Sequence, residues 1–129
     1  MGIQISDDKA AQHICNLLIT PTQVTINRVT GWGPTTRNAA LDHQALAIER
    51  DHWYTVLIEL CGNDYLAQID DSCVLYGHAE GLDVAKPRLS LISSGNVAWY
   101  DHVKVWDATP DPLWPTRKEE VLKLKAKHQ

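Results

Sequence analysis

The stretch from Trp53 to Asp70 (WYTVLIELCGNDYLAQID) constrains the fold more than any other part of the chain. Its first half is β-branched and aromatic, its middle is turn chemistry, and its second half returns with the same alternation, the pattern of an antiparallel hairpin. A two-residue loop at Asn63-Asp64 would pair Glu59 with Gln68, Leu60 with Ala67 and Ile58 with Ile69. Val56, Ile58, Leu60, Ala67 and Ile69 then face a core. Thr55, Leu57, Glu59, Gln68 and Asp70 share the other face.

Similar short runs recur along the chain. Gly2 to Ser6, His13 to Thr20 and Gln23 to Val29 read as strands, the last two joined tightly through Thr20-Pro21-Thr22. Thr30 to Asn38 is rich in breakers and reads as a loop. Ala39 to Leu46 reads as one helical turn or as irregular coil. A turn at Asp70-Asp71-Ser72 leads into a strand from Cys73 to Tyr76, and Gly77 to Lys86 is a loop. Pro87 to Ser93 and Asn96 to Asp107 are expected as two further strands. In the second of these, Val97, Trp99, Val103 and Val105 share one face and Tyr100, His102, Lys104 and Trp106 the other, with Asp101 in the apolar phase. Beyond Asp107, ATPDPLWP cannot hold a central strand, because its three prolines lack ladder donors. Thr116 and Glu119 match a capping box, which predicts a short helix to about Lys127. Its lysines read as a solvated face, and Trp114 is expected to cover the sheet beside it.

These signals give a mainly β chain, an antiparallel β-sandwich with a short C-terminal helix, since no long helices alternate with the strands. Residues 1–109 form the sandwich and 110–129 a Pro-rich connector and helix. At 129 residues the chain can bury one core. The net charge of −4, with scattered Lys and Arg up to the C-terminal run, argues against a nucleic-acid partner. No apolar stretch reaches membrane-spanning length, so no membrane partner is expected. Cys15, Cys61 and Cys73 show no zinc spacing and read best as free thiols, with one bridge as the alternative if the chain is exported. Five Trp and no Phe give Trp the heavy aromatic packing. The N-terminus lacks a basic start and apolar run, so the chain reads as cytoplasmic as written, or exported or periplasmic if it is a piece of a longer protein.

The stretch HWYTVLIELCGNDYLAQIDDSCVLYG, with GLDVAKPRLSL and VAWYDHVKVWDATPDPLW after it, resembles the C-terminal half of the 3-keto-disaccharide hydrolase domain family. HICNLLITPTQVTINR fits the preceding strand pair. The landmarks are Trp53 opening a strand, the Ile69-Asp70 turn, Lys86 and the Tyr100-Asp101 strand. The resemblance implies a concanavalin A-like jelly roll in a carbohydrate-active, often bacterial protein, with glycoside hydrolysis as the activity. Family members carry further N-terminal strands and an export signal, so the resemblance also implies a jelly roll short of strands. A missing strand would leave a ladder edge unpaired and open to homo-oligomer formation.

The candidate chemistry follows from the polar faces. Glu59 and Asp70 are the candidate acid and base of glycoside cleavage, which needs two carboxyl groups flanking the scissile bond. Against this, Asp is common at turns for local hydrogen bonding. Asp101, in a core-phase position, is a third catalytic candidate or else a structural anchor. Gln68, Tyr100, His102 and Trp106 are candidate substrate contacts, the aromatic rings as stacking platforms for sugar. Tyr54 and Trp32 could act in the same way, while Trp53 and Trp99 are expected in the core. No metal site and no cofactor is expected; the one conceivable addition is a divalent ion such as calcium, held by loop carboxylates such as Asp83. The chain therefore reads as a carbohydrate-active domain, with a non-catalytic glycan-binding module and a structural or assembly module as the alternatives.

Overall fold

The computed structural model describes residues 1–7, 14–95 and 97–127. His13 and Asn96, the first residues of two expected strands, and residues 128–129 lie outside the described residues. Among the described residues eight strands form in chain order: β1 (Gly2–Ser6), β2 (Ile14–Ile19), β3 (Gln23–Thr30), β4 (Arg37–Ala45), β5 (Val56–Cys61), β6 (Asp64–Ile69), β7 (Cys73–His78) and β8 (Arg88–Ile92). One helix, α1 (Trp114–Lys127), follows. The strands make a five-stranded sheet in the order β4-β3-β2-β1-β8 and a three-stranded sheet in the order β5-β6-β7. Every pairing is antiparallel. The mainly β, two-sheet architecture with a C-terminal helix is the one the alternating strands predict.

The core lies between the sheets and is built from one face of each. Cys15 and Leu17 of β2 and Val24 and Ile26 of β3 are fully buried, opposite Tyr65, Ala67 and Ile69 of β6 and Leu75 of β7. Strict alternation along β2 and β6 sends these side chains inward together. Burial of each large aliphatic side chain contributes roughly 1.5–3 kcal/mol.

The β5–β6 hairpin forms with a register two residues away from the expected one. Its loop is Gly62-Asn63, so that Cys61 pairs with Asp64, Leu60 with Tyr65, Glu59 with Leu66 and Ile58 with Ala67. Gly62 takes a positive φ of 56°, which the favoured two-residue hairpin turn requires and glycine supplies without strain. A slip of two keeps the parity of side chains, so Ala67 and Ile69 still face the core and Val56, Ile58 and Leu60 pack against it.

Four further expectations are corrected. Residues 37–45 form strand β4 rather than a helical turn or coil, because β3 offers a partner along its whole length. Residues 97–107 form no strand: Val97, Trp99, Val105 and Trp106 are exposed, so the alternation there finds no sheet to join. Trp53 also lies outside the core, 65% exposed, because β5 begins only at Val56. The helix starts at Trp114, before the expected Thr116. Asp111 Oδ1 accepts the Leu113 amide at 2.9 Å, and the Asp111 carbonyl accepts the Trp114 amide at 2.9 Å.

The two sheets meet where β4 lies beside β7. Asp42 on β4 accepts the Tyr76 amide at 2.9 Å through Oδ2, taking the place of a backbone rung. Gly77 sits directly against Leu41, whose Cβ would lie 2.5 Å from any Cβ placed at that position. Past β4 the chain stays close to the β2–β3 turn through Leu46 N–H to Thr22 O (3.1 Å) and Ile48 N–H to Pro21 O (2.9 Å).

Candidate functional site

The candidate residues divide between the β5–β6 hairpin and the irregular segment 100–106 instead of converging. Glu59 is exposed on β5, opposite Leu66 and not Gln68. Gln68 is partly buried, and its amide Nε2 donates to the Asp70 carbonyl at 2.8 Å. Asp70 sits in the turn after β6 with φ of 44°. Its Oδ1 accepts the Thr55 amide at 2.8 Å while its own amide donates to Thr55 O at 2.9 Å. That reciprocal clamp closes the open end of the hairpin, and it is local turn chemistry of the kind Asp supplies.

The other four candidates belong to the irregular segment beside β1 and β8. Asp101 is not in a core phase: its side chain is 62% exposed and folds back on its neighbour. Oδ1 accepts the His102 amide at 2.7 Å, and Oδ2 lies 3.0 Å from His102 Nδ1. His102 takes φ of 50°, so the chain turns where a strand was expected. Tyr100 is a tie within the fold. Its hydroxyl lies 2.6 Å from Ile92 O and 3.0 Å from Gly2 O, donating to one of them, and accepts the Gly2 amide at 3.2 Å. Trp106 is 69% exposed, with its ring free for contact.

Residues 46–54 and the β6–β7 turn enclose an open depression of about 630 Å³, lined by Leu46, Glu49, His52, Tyr54, Asp70 and Asp71 among others. Its volume is within the span of small-ligand sites. The His52 and Tyr54 rings meet edge to face at 4.6 Å between centroids. The Tyr54 hydroxyl accepts the Glu49 amide at 2.9 Å, which fixes the ring from its far end. Protein-family models, curated proteins and solved structures yield no match to the chain. The depression therefore stands on its own chemistry: two rings, three carboxylates and a serine at one end of the β5–β7 sheet. Of the expected catalytic and substrate-binding residues it holds Asp70 alone.

At the opposite end of β6 lies a cluster that sequence reading did not single out. Asp64 is 14% exposed. It accepts from Tyr76 Oη (2.6 Å) and Trp114 Nε1 (2.8 Å), with His78 Nδ1 at 2.8 Å and Lys118 Nζ at 3.3 Å. Burial opposes its ionisation, yet the hydrogen bonds from Tyr76, His78 and Trp114 and the Lys118 charge outweigh it and hold the carboxyl well below the usual carboxylate range. The Tyr76 hydroxyl moves upward, through burial and through its bond to Asp64. Lys118 Nζ also stands 4.7 Å from the centroid of the Tyr76 ring. The register expected from the sequence puts Asp64 in the hairpin loop. The sequence signal that could have marked it is its position one strand residue past that turn, in phase with Leu66 and Gln68.

Among the described residues no group of three or more His, Cys, Asp and Glu side chains is arranged to hold a metal ion. No helix of the described residues is long and apolar enough to cross a membrane.

Proposed function

We propose that the chain is a non-catalytic carbohydrate-binding module that holds sugar in the depression around His52 and Tyr54. The observation that carries this reading is the pairing of those rings with Glu49, Asp70 and Asp71 around one open volume. Sugar C–H faces suit an aromatic surface, and sugar hydroxyls suit carboxylate acceptors. The family resemblance supports the ligand class. Hydrolysis draws less support, because the Asp70 carboxylate is engaged by the Thr55 amide and Glu59 stands on β5 outside the depression's lining.

The test is a glycan array probed with the full chain, followed by titration of the best ligand against His52→Ala and Asp71→Ala. Loss of about ten-fold or more in affinity in either variant is expected, on the scale of one lost charge-assisted hydrogen bond or ring contact. Turnover of a 3-keto-glycoside, abolished in Glu59→Gln, would replace binding by catalysis. An array without any bound glycan would sink the reading.

A second reading, an assembly module, is favoured by one specific observation. β8 and β5 are sheet edges, and Leu89 and Leu91 on β8 are exposed at 40% and 41% in the same region of sequence as Val97 and Trp99. Unpaired edges with apolar side chains invite self-association. Sedimentation of the chain across a hundred-fold concentration range separates the two readings, since a binding module stays monomeric throughout.

A further inference from the structure

We propose that α1 occupies, in cis, a binding site for lysine-bearing peptide segments on the outer face of the β5–β7 sheet, where a basic segment of a partner protein competes with it. The site lies at the Asp64 end of β6, opposite the depression, and does not depend on the glycan reading.

Among the described residues the sheet supplies the Asp64 carboxylate with two partners, Tyr76 and His78. The other two, the Trp114 indole and the Lys118 ammonium, come from α1. Lys118 thus lies between a carboxylate and the face of the Tyr76 ring, the surroundings that select an alkylammonium group. Seven residues further, two helical turns or roughly 10.5 Å, Lys125 Nζ reaches Asp42 Oδ2 at 2.6 Å. Asp42 is itself oriented by the Tyr76 amide. Two fixed carboxylates therefore match two lysines at a fixed spacing, and this charge complementarity defines the occupant.

The groups that α1 turns to the sheet are mainly polar. Trp114, Lys118, Val121 and Lys125 form its less exposed side, and Val121 is the one aliphatic residue among them. Leu122 and Leu124 remain 38% and 47% exposed. The segment 97–113 that leads to it has no regular structure, and residues 101–110 are all exposed. α1 belongs to neither sheet, so its departure breaks no ladder. It would uncover Asp64, Tyr76 and the neighbouring outer-face residues of β6 and β7.

The experiment uses the full chain carrying Lys118→Glu and Lys125→Glu, which repels α1 and leaves the dock intact. The probe is a synthetic peptide of residues 110–127 with the natural lysines, titrated by calorimetry at low salt. A site occupied in cis nine-tenths of the time shows an apparent affinity about ten-fold weaker, so the variant should bind the peptide at least that much more tightly than the wild type. Added salt should weaken the binding, and Asp64→Asn in the variant background should remove it. A folded variant that ignores the peptide overturns the proposal, as does equal binding by wild type and variant or binding unaffected by Asp64→Asn. Should the variant fail to fold by circular dichroism, amide exchange of the wild type decides. Exchange in α1 that is faster than in β6, and faster still in salt, supports a detachable cover; equal protection of α1 and β6 overturns it.

Discussion

The carboxylate of Asp64 on β6 and the indole Nε1 of Trp114 on α1 meet at 2.8 Å across fifty residues of chain. This bond and the one from Lys118 join the helix to the sheet, while Tyr76 and His78 hold the same carboxylate from β7. Replacing Asp64 by Asn removes the charge while keeping the shape, and should cost about 1.5–3 kcal/mol, the scale of hydrogen bonds to a charged group. The pH dependence follows from the sign of the shift. The folded-state pKa is depressed, so the contribution is fully present above the unfolded value of about 3.9 and is lost as pH falls from there through the folded value. Urea unfolding of wild type and Asp64→Asn from pH 7 to pH 2 should show a constant gap that closes only in the acid limb. A gap that is already absent at pH 7 would remove Asp64 from the stability of the fold.

Tyr65 presents a second measurable balance. It is fully buried, and among the described residues its hydroxyl has no hydrogen-bond partner. Burial drives its pKa upward, which keeps the group neutral throughout the stable range. An unpaired buried hydroxyl costs roughly 1–3 kcal/mol, so Tyr65→Phe should leave stability unchanged or raise it by about 1 kcal/mol. Thermal unfolding checks this, and a fall in Tm of several degrees would reveal a partner for the hydroxyl.

The seam between the sheets can be probed at Gly77. A methyl group added there meets the Leu41 side chain at 2.5 Å, and overpacking of this kind costs about 1–3 kcal/mol. Gly77→Ala should therefore destabilise, while Gly77→Ala combined with Leu41→Gly, which removes the Cβ at 2.5 Å, should lose less than the two single changes summed. Strict additivity in this double-mutant cycle would mean the contact carries no energy.

The cysteines should differ in reactivity. Burial pushes the thiols of Cys15 and Cys73 up to about 11, so little thiolate exists near neutral pH, whereas Cys61 is only partly buried. A disulfide reagent should titrate one thiol quickly under native conditions and all three after unfolding. Three equally fast thiols would contradict the burial of β2 and β7.

Much of the fold was legible because the alternation at β2, β3, β5 and β6 is enforced by a buried face. The hairpin shows the limit: parity followed from Val56, Ile58, Ala67 and Ile69, but the pairing depended on whether Gly62 or Asp64 entered the loop. Hydrophobicity alone does not separate two registers that keep the same face. β4 was missed because RNAALDHQA has little β character of its own and becomes a strand through its neighbour β3. Residues 97–107 show the reverse, a strand-like pattern without a sheet. The site was less legible still. Glu59 and Asp70 on a polar face and Asp101 in an apolar phase all stand as carboxylate candidates in the sequence, yet Asp70 and Asp101 are consumed by nearby amides. The Asp64 cluster draws on β6, β7 and α1, and such a meeting is visible only once the chain is folded.

Asp42, which bridges β4 to the Tyr76 amide, also has a mechanical meaning. Within each sheet a pulling force is resisted by many rungs loaded together, but β4 and β7 share no ladder. Under tension applied across that boundary, the Asp42 carboxylate, the Gln44 amide bonded to Ser72 O and the apolar contacts beneath them bear the load. Rupture should begin there and leave each sheet whole.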